Sequence, residues 1–229
     1  MKVLCTNGLK TVMVELVPGF ERKSGAKVTI TWGPAAGLVK ELEGGADGDL
    51  AILTAEAVDA LIAKGKVVAG SRVDIASSGI GLAVRAGTSK PDIGSPDALK
   101  RALLAAKSVA HSRMGGSGIY FPTVLARLGI ADAMKGKIVL PEPGTPVGEI
   151  VAMGGAEIGV QQISELLPVD GIELIGPLPP SLQKVTTFSA SLLAAAKEPD
   201  AAKALAKFLA AESPPLLAAR GLERPSPAA

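Results

Sequence analysis

Residues able to do chemistry gather at a small set of turns. Thr6-Asn7-Gly8, Gly33-Pro34-Ala35-Ala36-Gly37, Thr54-Ala55, Arg113 to Gly118 and Gln161-Gln162 each follow a short apolar run and precede a stretch with helical spacing. At such a junction the first N–H groups of the helix lack intrahelical acceptors and the dipole is positive, so the turn attracts an anion. Arg113 adds a planar fork that can grip a carboxylate or oxyanion by two hydrogen bonds. Ser117 adds a hydroxyl, and Gln161 and Gln162 add carboxamides, of which strand alternation turns at most one toward a ligand. The candidate ligand-binding residues are Thr6, Asn7, Gly8, Ala35, Ala36, Gly37, Thr54, Arg113, Ser117, Gln161 and Gln162. Thr54 is also a good N-cap, and Gly33 and Gly37 also read as simple turn residues.

Other chemistries find no footing. With one histidine, His111, and one cysteine, Cys5, neither a multi-histidine metal site nor an intrachain disulfide can form, and no metal or other cofactor is expected. No G-x-S-x-G elbow precedes a later histidine, which removes the usual hydrolase triad. The Gly115 to Gly118 run lacks the phosphate-loop lysine and the full dinucleotide fingerprint, so nucleotides are not expected. Net charge is only +2, with basic residues scattered, and aromatics make up 3% of the chain. That composition offers neither a phosphate-backbone footprint nor stacking platforms, and nucleic acid is not an expected partner.

The elements that must hold these turns read as alternating strands and helices. In the first part, strands at residues 1–5, 28–32 and 49–53 lead into helices at 9–23, 38–43 and 55–64. A second block repeats the pattern with strands at 80–86, 108–111, 138–140 and 157–162 and helices near 98–107, 119–128 and 145–153. After the prolines at 177, 179 and 180 come an apolar run, Thr186 to Leu193, and an Ala-rich helix from Pro199 to Ala211; Glu223 to Ala229 are expected to fray. Successive strand-helix units imply parallel sheets with helices on their faces. Their number exceeds one sheet, so 229 residues divide into two α/β lobes, 1–79 with 185–229 and 80–184, joined by two crossovers. No apolar run reaches the roughly 18 residues of a membrane span. Met1 to Cys5 is too short for a secretory signal, so the protein is periplasmic if an export segment has been removed and cytoplasmic otherwise.

The runs Leu4-Cys5-Thr6-Asn7-Gly8-Leu9, Phe20 to Gly25, Leu38 to Leu50, Ser71-Arg72-Val73 and Ala219-Arg220-Gly221-Leu222 resemble the molybdate-binding type of bacterial extracytoplasmic solute receptors. The resemblance covers nearly the whole chain. It implies a type II periplasmic-binding-protein fold, two Rossmann-like lobes on a two-crossover hinge closing on an oxyanion, and delivery of that anion to an ABC permease by a monomeric receptor. Where such receptors carry serines in the first two turns and a tyrosine near the fifth, this chain has Asn7-Gly8, Pro34 to Gly37 and Gln162. That exchange suits a small carboxylate as well as molybdate or tungstate. The same broad family includes aconitate isomerase; a protein of that kind would need a base, for which His111, Glu142 and Glu149 are the candidates. A cytosolic anion sensor is a further alternative.

Overall fold

The structure, a computed structural model, describes residues 1–142 and 145–225. The chain forms two compact units, Met1–Ser78 together with the chain from Thr186 on, and Gly79–Val185. In the first unit, β1 (Lys2–Thr6), α1 (Lys10–Ser24), β2 (Thr29–Gly33), α2 (Ala35–Glu43), β3 (Leu50–Thr54), α3 (Ala55–Ala63) and β4 (Val73–Ser78) follow in order. The second contains β5 (Ile80–Arg85), α4 (Pro96–Ala105), β6 (Val109–His111), α5 (Gly116–Arg127), α6 (Ala131–Met134), β7 (Ile138–Val139), α7 (Val147–Ala152), β8 (Ile158–Gln162), α8 (Ile163–Leu166) and β9 (Ile172–Pro177). The chain then returns to the first unit with β10 (Thr186–Leu192) and α9 (Pro199–Glu212).

Each unit is built on one sheet. The first runs β2-β1-β3-β10-β4 and the second β7-β6-β8-β5-β9. In each, the first three strands are parallel and the fourth, β10 or β5, runs antiparallel to both neighbours. The carboxyl ends of β1, β2 and β3 therefore share an edge, as do those of β6, β7 and β8.

Strand alternation builds a core on each face. Val3, Cys5, Leu50 and Ile52 face α1 and α9, packing with Met13, Phe20, Leu205 and Leu209. Their neighbours Leu4, Ala51 and Leu53 face the opposite way, against Leu38 and Leu42 of α2 and Val58 and Leu61 of α3. The second sheet does likewise, with Leu82, Val109 and Val160 packed on Leu99, Leu103, Phe121 and Val124, and Ala110 on Val147 and Val151. Each fully buried aliphatic side chain contributes about 1.5–3 kcal/mol, so these layers fix the strand ends firmly.

Several boundaries differ from the sequence expectation. Helix α2 begins at Ala35 and α5 at Gly116, so Ala35 to Gly37 and Ser117-Gly118 lie in first helical turns, not in the preceding loops. Pro34, with its preset backbone angle, starts α2. Val73–Ser78 and Ile172–Pro177 are strands the pattern did not reveal, and Thr186–Leu192 is an interior strand between β3 and β4. The tail is not loose from Glu223: that residue exchanges both backbone hydrogen bonds with Ser77, at 2.8 and 2.9 Å. The expectation of fraying at 226–229 lies outside the described residues.

Candidate functional site

At the carboxyl edge of the first sheet, β1 and β3 lie side by side while the helices that follow them, α1 and α3, leave toward opposite faces, the switch point at which open α/β sheets bind ligands. Thr6 ends β1 and is buried; Asn7–Leu9 form a single tight turn into α1. Gly8 is there for a steric reason, since a Cβ on it would come within 2.7 Å of the Phe188 ring of β10. Thr54, opposite Phe188 in the register, uses its hydroxyl to accept the N–H of Ala57 at 3.3 Å. The Gly37 N–H is held by the Pro34 carbonyl at 2.9 Å, leaving those of Ala35 and Ala36 without intrahelical acceptors. Thr6, Asn7, Gly8, Ala35, Ala36, Gly37 and Thr54 thus share one edge, where Gly8, Gly37 and Thr54 already have local structural tasks.

The second sheet presents His111, Arg113, Ser117, Gln161 and Gln162 at its equivalent edge, with His111 opposite Val160 on β8. His111 is buried, its ring 5.4 Å from that of Phe121. Its Nδ1 lies 2.9 Å from the Ser112 carbonyl, which can only accept, so Nδ1 carries the proton and Nε2 the lone pair. Burial, aided by the charge of Arg113, holds the imidazole below its usual pKa and therefore neutral near pH 7. Arg113 itself is exposed, and among the described residues its guanidinium has no ion pair or hydrogen bond.

Polar groups around the start of α5 are left wanting. Among the described residues the Oγ atoms of Ser112 and Ser117 are buried without hydrogen-bond partners, and Ser117 is only 1% exposed. Gly118 is obligatory beside them, because a Cβ there would lie 2.5 Å from Ser112 Oγ. A buried hydroxyl without a partner costs about 1–3 kcal/mol, a loss that a bound acceptor would recover. Gln161 and Gln162 are both buried despite their adjacency, Gln162 because β8 ends there and its backbone turns into α8. Gln161 donates from Nε2 to Oε2 of Glu165 at 2.8 Å, while its Oε1 has no partner. Burial pushes the Glu165 carboxyl up to about 7, against the opposing effect of the Gln161 hydrogen bond. Sequence reasoning missed Glu165; its one signal is the four-residue step from Gln161 across a strand-to-helix turn.

Two other candidates follow β7, whose carboxyl end lies on the same edge. Glu149 lies exposed in the first turn of α7, and Glu142 is exposed in the loop after β7. No group of three or more potential metal-ligating His, Cys, Asp or Glu side chains occurs among the described residues. A cavity of about 460 Å³ lined by Val84, Arg85, Glu157 and Ile158 opens at the opposite sheet edge and shares no residue with the turns.

Two sheets of this order, with their strand-to-helix turns gathered on one edge of each, define the two-lobed α/β fold of periplasmic binding proteins. The chain belongs to the bacterial extracellular solute-binding protein family, whose model matches residues 1–222. It is 36% identical over 218 residues to an aconitate isomerase from a Pseudomonas species, covering 93% of this chain and 82% of that one. It is 29% identical over 206 residues to the molybdate-binding protein of Azotobacter vinelandii, covering 86% and 79%. Among solved structures, the periplasmic molybdate-binding protein of Azotobacter vinelandii matches with a TM-score of 0.80 at 18% identity, over 99% of this chain and all of that one. The sulfate-binding protein of Mycobacterium tuberculosis matches at 0.79 and 16%, over 99% and 87%. At such identities these structures establish the fold. Among the described residues, no helix is long and apolar enough to cross a membrane.

Proposed function

We propose that the protein is the capture component of an ABC importer, working outside the cytoplasm as a monomer and binding a small carboxylate-bearing anion. The observation that carries this reading is the turn between β6 and α5. There an unengaged guanidinium, Arg113, accompanies two buried hydroxyls without partners, Ser112 and Ser117, at the N-terminus of a twelve-residue helix. A carboxylate would accept from the fork, the hydroxyls and the first helical N–H groups, each charge-assisted bond contributing about 1.5–3 kcal/mol. Molybdate and tungstate remain ligands that backbone donors alone could hold.

The test is a thermal-shift titration against molybdate, tungstate, sulfate, phosphate, citrate and both aconitate isomers. A ligand at about 100 times its dissociation constant adds roughly 2.7 kcal/mol to stability, a shift that is easily read. Stabilisation by carboxylates alone is the expected result; stabilisation by molybdate and tungstate alone overturns the carboxylate assignment.

A second reading, an aconitate-isomerase-like enzyme, is favoured by the 36% identity to the Pseudomonas protein and by the neutral state of His111. Moving a double bond along a tricarboxylate requires a group that takes a proton from one carbon and a donor that returns one to another. A histidine whose Nε2 keeps its lone pair at neutral pH is suited to the first task. Incubation with cis-aconitate, followed by proton NMR for the trans isomer, decides: formation of trans-aconitate makes the protein an enzyme, and its absence removes this reading.

A further inference from the structure

Glu165 is a half-buried residue whose carboxyl takes its hydrogen bond from a carboxamide at the candidate site. Gln161 is 6% exposed, donates from Nε2 to Glu165 Oε2 at 2.8 Å, and keeps Oε1 buried without a partner. An ionised carboxylate only accepts, so while Glu165 carries its charge the amide must turn NH2 toward it and strand its own carbonyl oxygen. A protonated Glu165 has an O–H to give. The amide can then reverse, so that Oε1 accepts that hydrogen and the NH2 is released to donate elsewhere. Reversal also satisfies the orphaned Oε1, whose isolation is otherwise a net cost.

We infer that Gln161 and Glu165 form a proton-gated selector at the carboxyl end of β8, offering an acceptor when Glu165 is ionised and a donor when it is protonated. The inference rests on the reading of this edge as part of an anion site and states how that site is regulated. The ionised form disfavours ligands that only accept, both through the unpaired lone pairs of Oε1 and through the charge behind them. The protonated form favours them, so anion capture takes up a proton. The pair titrates in a useful range because burial pushes Glu165 up to about 7.

Among the described residues the carboxyl has no cationic partner. The elements packed on α8 are β5, β8, β9 and α7. Their charged side chains are Arg85 at the far end of β5, opposite Ile172, Glu173 on β9, and the exposed Glu149 on α7, with Asp170 exposed in the turn after α8. Glu173 is occupied by Lys90 at 3.1 Å and by the Gly87 N–H at 3.1 Å. The neighbouring strand β6 brings His111, held neutral, followed by Arg113.

The experiment follows the Gln161 side-chain amide by 15N–1H NMR in the unliganded protein between roughly pH 5.5 and 8.5, with trans-aconitate affinity measured over the same range. The amide signal is expected to titrate with a midpoint near 7 and to become insensitive to pH in Glu165→Gln. Affinity for trans-aconitate, corrected for the ligand's own last ionisation, should strengthen about tenfold from pH 8 to pH 6, following the protonated fraction of one group, and should be flat in Glu165→Gln. If trans-aconitate binds while the amide is silent, or if Glu165→Gln keeps the pH slope, the selector is overturned. If no anion binds while the amide titrates as described, the reversal stands and the anion-binding reading falls.

Discussion

Laid strand against strand, the two sheets share one plan, β2-β1-β3-β10-β4 beside β7-β6-β8-β5-β9, yet their carboxyl edges have been finished differently. In the first unit the polar letters are already employed: Thr54 caps α3, Gly37 bonds back to Pro34, and Gly8 lies under the Phe188 ring. In the second unit Ser112 Oγ, Ser117 Oγ and Gln161 Oε1 are buried without partners, and Arg113 is unengaged. Natural proteins satisfy nearly all buried polar groups; among the described residues Thr11, Ser191 and Ser213 of the first unit are also unmet, but only on the second sheet's carboxyl edge do such groups accompany an unengaged guanidinium. The same frame thus carries a packed edge in one unit and, on the reading proposed above, a ligand-selecting edge in the other.

The largest test attacks the packed edge. Phe188→Ala should cost about 3–5 kcal/mol in chemical denaturation, the usual penalty for emptying a buried aromatic site. Gly8→Ala should cost about 1–3 kcal/mol by overpacking against the same ring, and adding Phe188→Leu should restore part of it. An unchanged denaturation midpoint in Gly8→Ala would erase the contrast between the edges. Next in size, Arg113→Ala should weaken anion binding at least tenfold, the equivalent of about 1.5–3 kcal/mol, with the melting temperature of the unliganded protein unmoved. If affinity holds in calorimetry, the open edge does not select through charge.

Acid provides a third test. Burial raises the Asp49 pKa, but acceptance from the N–H groups of Lys2, Lys197 and Glu198 outweighs it, and the net shift is downward. A depressed folded-state value means that its stabilisation is present above about pH 4, the unfolded pKa, and is lost as pH falls through the folded value. Asp49→Asn should flatten that acid dependence in the unfolding of the first unit, and a slope equal to wild type rules the clamp out. The smallest effect is Ser117→Ala, for which stability should change by less than about 0.5 kcal/mol or rise, since an unpaired buried hydroxyl is removed. Its anion affinity should nevertheless fall measurably; loss of stability with unaltered affinity would make Ser117 a packing residue.

The parallel strands with long apolar runs, such as Leu50-Ala51-Ile52-Leu53, were legible because burial on both faces needs nothing but hydrophobic letters. Strand β4 was not, because Val73-Asp74-Ile75-Ala76-Ser77-Ser78 hides its polarity in tertiary contacts: Asp74 binds Arg72 at 2.7 Å and accepts from Ser189 at 2.6 Å. The turns themselves could be found from strand-to-helix punctuation. Which were already satisfied could not, because the fate of Gly8 depends on Phe188, a residue brought back from the other end of the chain. Glu165 was invisible for a related reason, since its environment is set by packing and not by its neighbours in sequence.

The late return of β10 governs how the protein can be made. A growing chain that has produced β1 to β4 still lacks the strand that joins β3 to β4 and the helix, α9, that covers their face. Unpaired strand edges are sticky, so these residues must wait without sealing on one another or on other chains. Gly79–Val185 holds all five strands of its own sheet in one continuous stretch and can settle while synthesis continues. A chain cut short before β10 would thus carry one sheet with all its strands attached to one that lacks its fourth strand and a covering helix.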